Sequence, residues 1–198
     1  MKSLLVVCLF ICIFNTTIVN AFGGTKPPNN ERRPFEELYF EMGYKTVEDA
    51  LKECESHFRR DLKLPTKLPS VVFTHHFGRF NDLEGDLNDS FEIEYLNEYE
   101  STNHYNMIVK PSNRKLIVFS KREVIHTYKL KDGTEAVYQT TPRSHGRALF
   151  NLLVFEKNGW KYILSVDKRI EDKVPANVLV EIAESVIVKY PVIVNPLE

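Results

Sequence analysis

Cysteine is scarce. The chain of 198 residues has three, and Cys8 and Cys12 lie inside an apolar run at the start. That leaves Cys54, which has no internal partner in the rest of the chain. A disulfide-stapled scaffold is excluded there, and the core must hold the fold by itself. An excess of one charge is also missing. Lys and Arg total 26 against 27 Asp and Glu, a formal net charge of −1. A general nucleic-acid binder carries a marked basic excess, so that class is set aside. Beyond the first residues no apolar run is long enough to span a bilayer, which takes about 20 residues. Internal repeats and coiled-coil heptads are absent. So are His-x-His, His-Glu-x-x-His and a Gly-x-Ser-x-Gly elbow.

What the N-terminus does contain is an address. Met1-Lys2 is a positive start, Leu4 to Phe14 is apolar, and Val19-Asn20-Ala21 offers small residues where a signal peptidase reads. The pattern predicts a signal peptide over 1–21, cleaved after Ala21, and a secreted, extracytoplasmic protein. An uncleaved N-terminal anchor is the alternative. Cys8 and Cys12 do not stand at the end of the run, where a lipid-modified cysteine would be. Residues 22–45 are Gly-, Pro- and Asn-rich at first and read as a flexible lead-in with a short helical turn near Phe35–Tyr44.

The strongest folding signal lies between Ala148 and Ile187. Asn158-Gly159 suits a type I′ turn, which needs φ > 0 at both central residues. A two-residue loop there sets Lys157 opposite Trp160, Glu156 opposite Lys161, Phe155 opposite Tyr162, Val154 opposite Ile163 and Leu153 opposite Leu164. Trp160, Tyr162, Leu164 and Val166 share a face. The preceding strand is apolar on both faces except Asn151, as in a central strand. After Pro175, the positions Val178, Leu179, Ile182, Ala183, Val186 and Ile187 recur at helical spacing, and Pro191 ends any helix by Tyr190.

Upstream, Thr46 to Asp49 resembles a capping box and opens a helix over about Val47–Arg60. Leu64 to Pro69 holds two prolines and is extended. Strands follow at Val71–Phe80, Phe91–Tyr95, Tyr105–Lys110, Lys115–Ser120, Val124–Leu130 and Thr134–Gln139. Phe91, Ile93 and Tyr95 point inward and Glu92 and Glu94 outward. Asp132-Gly133 predicts a second type I′ turn. The fold class is α+β: a curved antiparallel sheet of about eight strands with a helix near each end of a single domain, 46–190, followed by a tail, 191–198.

Several of these features together are similar to a known pattern. They are the Leu-Pro…Leu-Pro segment after a helix, Tyr128-Lys-Leu-Lys-Asp-Gly-Thr134, Leu153-Val-Phe-Glu-Lys-Asn-Gly-Trp-Lys-Tyr-Ile-Leu-Ser165, and Ile182-Ala-Glu-Ser185 in the closing helix. Over roughly Thr46 to Val188 the chain resembles an extracytoplasmic domain family of unknown function. That family occurs in secreted, lipid-anchored and membrane-tethered proteins of spore-forming Gram-positive bacteria, some of them anti-sigma-factor-like. Phe155 departs from it, standing where that pattern has Trp, and Val71–Val109 matches none of its motifs. The resemblance implies an envelope location and brings no catalytic residue or cofactor.

The candidate chemistry is thin. His75-His76 are adjacent on a strand and face opposite ways. One of them, with His104 or His126 and a carboxylate, would make a zinc or copper site. Asp82, Glu84, Asp86 and Asp89 cluster on a turn and could hold calcium. Ser144 beside His145 is not a catalytic pair. Arg143 and Arg147 in that loop could contact an anionic partner. Cys54 lies on an apolar helical stripe between Glu53 and Glu55, which is no setting for a nucleophile. Aromatic rings spread over nearly all the strands, and any face left uncovered could bind a lipid, glycan or peptide. The expected function is a secreted, non-enzymatic binding or sensing module at the cell envelope. No cofactor is predicted, and the partner is an envelope protein, glycan or lipid. The alternatives are an extracytoplasmic metal-dependent hydrolase using His75 or His76 with His104, or a structural envelope or spore-associated protein.

Overall fold

The closing hairpin lies inside the sheet, and the helix-capping threonine starts the helix that packs on it. In the computed structural model, residues 33–83, 89–112, 122–143 and 147–186 are described. The helices are α1 (Phe35–Glu41), α2 (Val47–Phe58) and α3 (Ala176–Glu184). The strands are β1 (His75–Asn81), β2 (Ser90–Leu96), β3 (His104–Pro111), β4 (Val124–Lys129), β5 (Glu135–Thr140), β6 (Phe150–Lys157) and β7 (Trp160–Asp167). They form one open antiparallel sheet in the order β1-β2-β3-β7-β6-β5-β4. The expectation of about eight strands is corrected to seven among the described residues. Lys115–Ser120 lies outside them, as do the leader and the chain beyond Val186. No helix among the described residues is long and apolar enough to cross a membrane.

The β6–β7 hairpin has the expected register throughout, from Lys157 opposite Trp160 to Leu153 opposite Leu164. Asn158 and Gly159 have φ of +52° and +72°, as a type I′ turn requires. Phe155 stacks on Tyr162 with centroids 4.9 Å apart. The Asp132-Gly133 turn differs from expectation. Gly133 has φ +88°, but Asp132 is not in the left-handed region. Leu130 N–H donates to Thr134 O and Gly133 N–H to Leu130 O. The result is a three-residue loop ending in a left-handed glycine. Asp132 is recruited elsewhere: its carboxylate accepts from Thr134 N–H at 3.0 Å and pairs with the buried Lys157 at 2.9 Å.

This pair should be visible in an acid titration. The hydrogen bond from Lys157 and that from Thr134 lower the Asp132 carboxyl from 3.8 to about 2. A depressed carboxyl contributes stability above its unfolded value and loses it as the pH falls through the folded value. Urea midpoints should therefore decline between about pH 4 and pH 2. Asp132→Asn should flatten that limb, and an unchanged slope would remove the pair from the account.

The two faces of the sheet differ. Phe91, Ile93, Tyr105, Met107, Trp160, Tyr162, Leu164, Leu153 and Phe155 line one face and are buried. Helix α2 packs on this face over β1 and β2, and α3 packs against β6. The Thr46 hydroxyl accepts from Asp49 N–H at 3.1 Å, the predicted start of α2. The α2 core residues Ala50 and Cys54 are fully buried. Burial, with Glu55 nearby, pushes the Cys54 thiol up to about 12, so it stays protonated and inert. Between the helices, Trp160 and Tyr162 donate to the carbonyls of Asp61 and Lys63. They tie the extended segment after α2 across the sheet. Helix α1 lies on the opposite face, where Tyr39 stacks on Phe77 at 4.6 Å. The chain passes from α1 to α2 round the β1 edge, with Lys45 and Gly78 exchanging backbone hydrogen bonds.

Candidate functional site

Pairing across β1, β2 and β3 puts alternate residues of the three strands on one face. Arg79 is opposite Glu92; Phe77, Glu94 and Asn106 form the next row; His75, Leu96 and His104 form the row after. This is the face that α1 touches, and it carries a ladder of charge. Arg79 Nη2 donates to Glu92 Oε2 at 2.8 Å. The Asn106 amide donates to Glu92 Oε1 at 3.1 Å and to Glu94 Oε1 at 2.8 Å. Glu94 Oε2 in turn contacts His104 Nε2. The Glu92 and Glu94 side chains are each only 13 % exposed. They do face away from the core, as the alternation predicts, but they are not solvated. A carboxylate so placed is costly unless paired, and both are paired.

The neighbours feel this charge. Burial raises the Tyr39 hydroxyl, and Glu94 raises it further. Burial also raises Tyr44, with Glu92 and Glu94 adding to the effect. Both phenols therefore stay protonated. The Arg79 guanidinium sits 4.4 Å from the Tyr44 ring centroid, which closes that end of the ladder. At the other end His104 meets the Phe150 ring edge-on, and Asp167 is opposite Phe150 in the sheet. Burial pushes the Asp167 carboxyl up, but bonds from Arg169, with His104 nearby, hold it below its usual range. Next to the ladder a row of half-buried aliphatic side chains crosses the sheet: Ile108, Ile163, Val154 and Val137.

The predicted site residues are distributed as follows. His75 and His104 share a face but are separated by Leu96, two strand spacings of about 4.8 Å each. His75 is near Glu36 at 3.6 Å and packs on Phe35. His76 is on the core side, beside Tyr95. His126 is on β4, at the far edge of the sheet. Asp82 stands apart from these, beside His57 and Asp89. Glu84, Asp86 and Ser144 lie outside the described residues. The ladder was half legible: Phe91-Glu-Ile-Glu-Tyr95 showed two carboxylates on one face, but only pairing with β1 and β3 brings Arg79, Asn106 and His104 to them. Protein-family models, curated proteins and solved structures were compared with the chain, and none matches it.

Proposed function

We propose that this chain is a secreted, non-enzymatic binding module of the cell envelope, and that it engages its partner through the charged ladder. The observation that carries this reading is the pair of half-buried carboxylates, Glu92 and Glu94, locked in place by Arg79, Asn106 and His104. Each of these groups is already hydrogen-bonded to another. Such an arrangement fixes a pattern of charge, which suits recognition. The aliphatic row beside it gives apolar area next to the directional groups, the usual composition of a binding surface. The predicted signal peptide and the resemblance to an extracytoplasmic domain family support the location. The partner is an envelope protein, glycan or lipid headgroup that presents hydrogen-bond donors or positive charge to Glu92 and Glu94.

The test uses the chain recovered from its secreting host, wild type and Glu92→Gln/Glu94→Gln. Native mass spectrometry and crosslinking on intact cells read the partner, and N-terminal sequencing reads the start. The wild type should begin at Phe22 and carry or capture a partner that the double variant loses, with the two circular dichroism spectra alike. A bare wild-type monomer with no crosslinked partner would overturn the reading. Retention of the partner by the double variant would move the site off the ladder.

A further inference from the structure

We propose that His57, Asp82 and Asp89 form a binding site for one divalent transition-metal ion of the zinc class. The site is at the opposite corner of β1 from the His75–Glu36 contact and shares no residue with the ladder. Three elements build it. His57 is in the last turn of α2, Asp82 immediately follows β1, and Asp89 immediately precedes β2. Asn81 opposite Ser90 is the last pair of the two strands, so the sheet holds the two aspartates side by side. Their ligand atoms and that of His57 all lie within 4.8 Å of one another.

The geometry suits an ion. His57 Nε2 and Asp89 Oδ2 are 3.2 Å apart. Two ligands of one metal with bonds of about 2.1 Å sit roughly 3.0–3.4 Å apart, so this edge is at coordination distance as it stands. The Asp89 side chain is 1 % exposed, and its other oxygen accepts from Leu83 N–H at 3.0 Å. That bond orients the carboxylate towards His57, as an outer hydrogen bond orients a metal ligand. The His57 ring is held between Phe58 and Phe80, with centroids at 4.7 and 5.0 Å. Asp82 is 66 % exposed, and its ligand atom is within 4.8 Å of those of His57 and Asp89, so its carboxylate is free to rotate in as the third ligand.

Electrostatics point the same way. Among the described residues, the ion-pair partner of both carboxylates is His57. One imidazole does not balance two carboxylates, one of them buried, and such an excess is costly. The carbonyl end of α2 adds further negative potential at the same corner. A divalent cation meets all three. The donor set chooses among cations: calcium and magnesium take oxygen ligands, whereas an imidazole with carboxylates suits zinc and its neighbours. Of the acidic-loop residues considered as a calcium site, Asp82 and Asp89 are here joined by an imidazole, and that favours a metal that accepts nitrogen. His57 was not legible as a ligand, because it is 32 residues from Asp89 and carries no metal-binding spacing.

The full chain, purified without added metal, is titrated with Co²⁺, whose visible absorption reports coordination, and Zn²⁺ is then used to displace it. One equivalent should bind, and millimolar Ca²⁺ should not compete. His57→Ala should weaken binding at least about 100-fold, beyond the 10–100-fold typical of losing a group that only orients a ligand. Asp89→Asn should do the same, and His104→Ala should leave binding unchanged. Because Asp89 is buried and its variant could fail to fold, the more exposed His57 decides. No Co²⁺ spectrum at millimolar metal, or full binding by His57→Ala, overturns the proposal.

Discussion

Trp160→Ala should lower the stability of this protein by about 3–5 kcal/mol, the range for emptying a buried tryptophan site. In a domain of this size that is a fall in Tm of roughly 6–20 °C. Trp160 is fully buried at the hairpin turn and does three things there. Its ring packs edge-on against Phe58 at 5.3 Å, the last residue of α2. Its indole N–H donates to Asp61 O at 2.9 Å. Its face receives the Arg60 guanidinium at 3.8 Å from the centroid, and Arg60 also donates to Gly159 O at 3.0 Å. Removing the ring leaves a cavity between α2 and β7, and it takes the indole donor away from the Asp61 carbonyl. Trp160→Phe keeps part of the volume and loses the indole bond, so it should fall between wild type and alanine. Urea unfolding followed by circular dichroism measures all three, since fluorescence loses its only tryptophan. A loss below about 1 kcal/mol for alanine would mean that α2 is not held by this residue.

Gly78→Ala is expected to cost about 3 kcal/mol, the upper end of the overpacking range. Gly78 lies in the middle of β1, where its backbone angles are ordinary. The constraint is space. A methyl group there would sit 2.8 Å from Val47 Cα, 2.9 Å from Ala50 Cβ and 3.0 Å from Thr46 O. Two of those atoms are backbone, so no side-chain rotation relieves the clash. The first turn of α2 would have to lift off β1, and the paired hydrogen bonds between Lys45 and Gly78 would stretch. Gly43 is the control. It has φ +86° and open space around it. Gly43→Ala should cost only the backbone penalty, about 1–2 kcal/mol. On backbone angles alone the order would be reversed, so the comparison tests whether helix–strand contact or local conformation sets the role of each glycine.

How far these features could be read in advance depends on how local their causes are. The Asn158-Gly159 turn needs only its own two residues to take positive φ, and the register of ten residues follows from it. The Thr46 cap needs only Asp49. Asp132-Gly133 looked equally local and was not. Lys157, from the neighbouring hairpin, draws the Asp132 carboxylate to itself, and the loop takes a different shape. The alternation in β2 assigned the correct faces to Glu92 and Glu94 but not their surroundings, since nothing in that stretch announces Arg79, Asn106 or His104.

By itself, then, the sequence determined the α+β class, the closing hairpin and its register, the boundaries of α2 to within two residues, and the burial of Cys54. All of these rest on periodicity and on contacts between near neighbours in the chain. The tertiary structure alone decided the strand order, the passage of the chain round the β1 edge that makes Gly78 indispensable, the ladder across three strands, and the meeting of His57 with Asp82 and Asp89. Those depend on which distant segments are brought together. Burial drives that assembly without direction, and the few hydrogen bonds and ion pairs that give it direction join residues whose separation in sequence carries no signal.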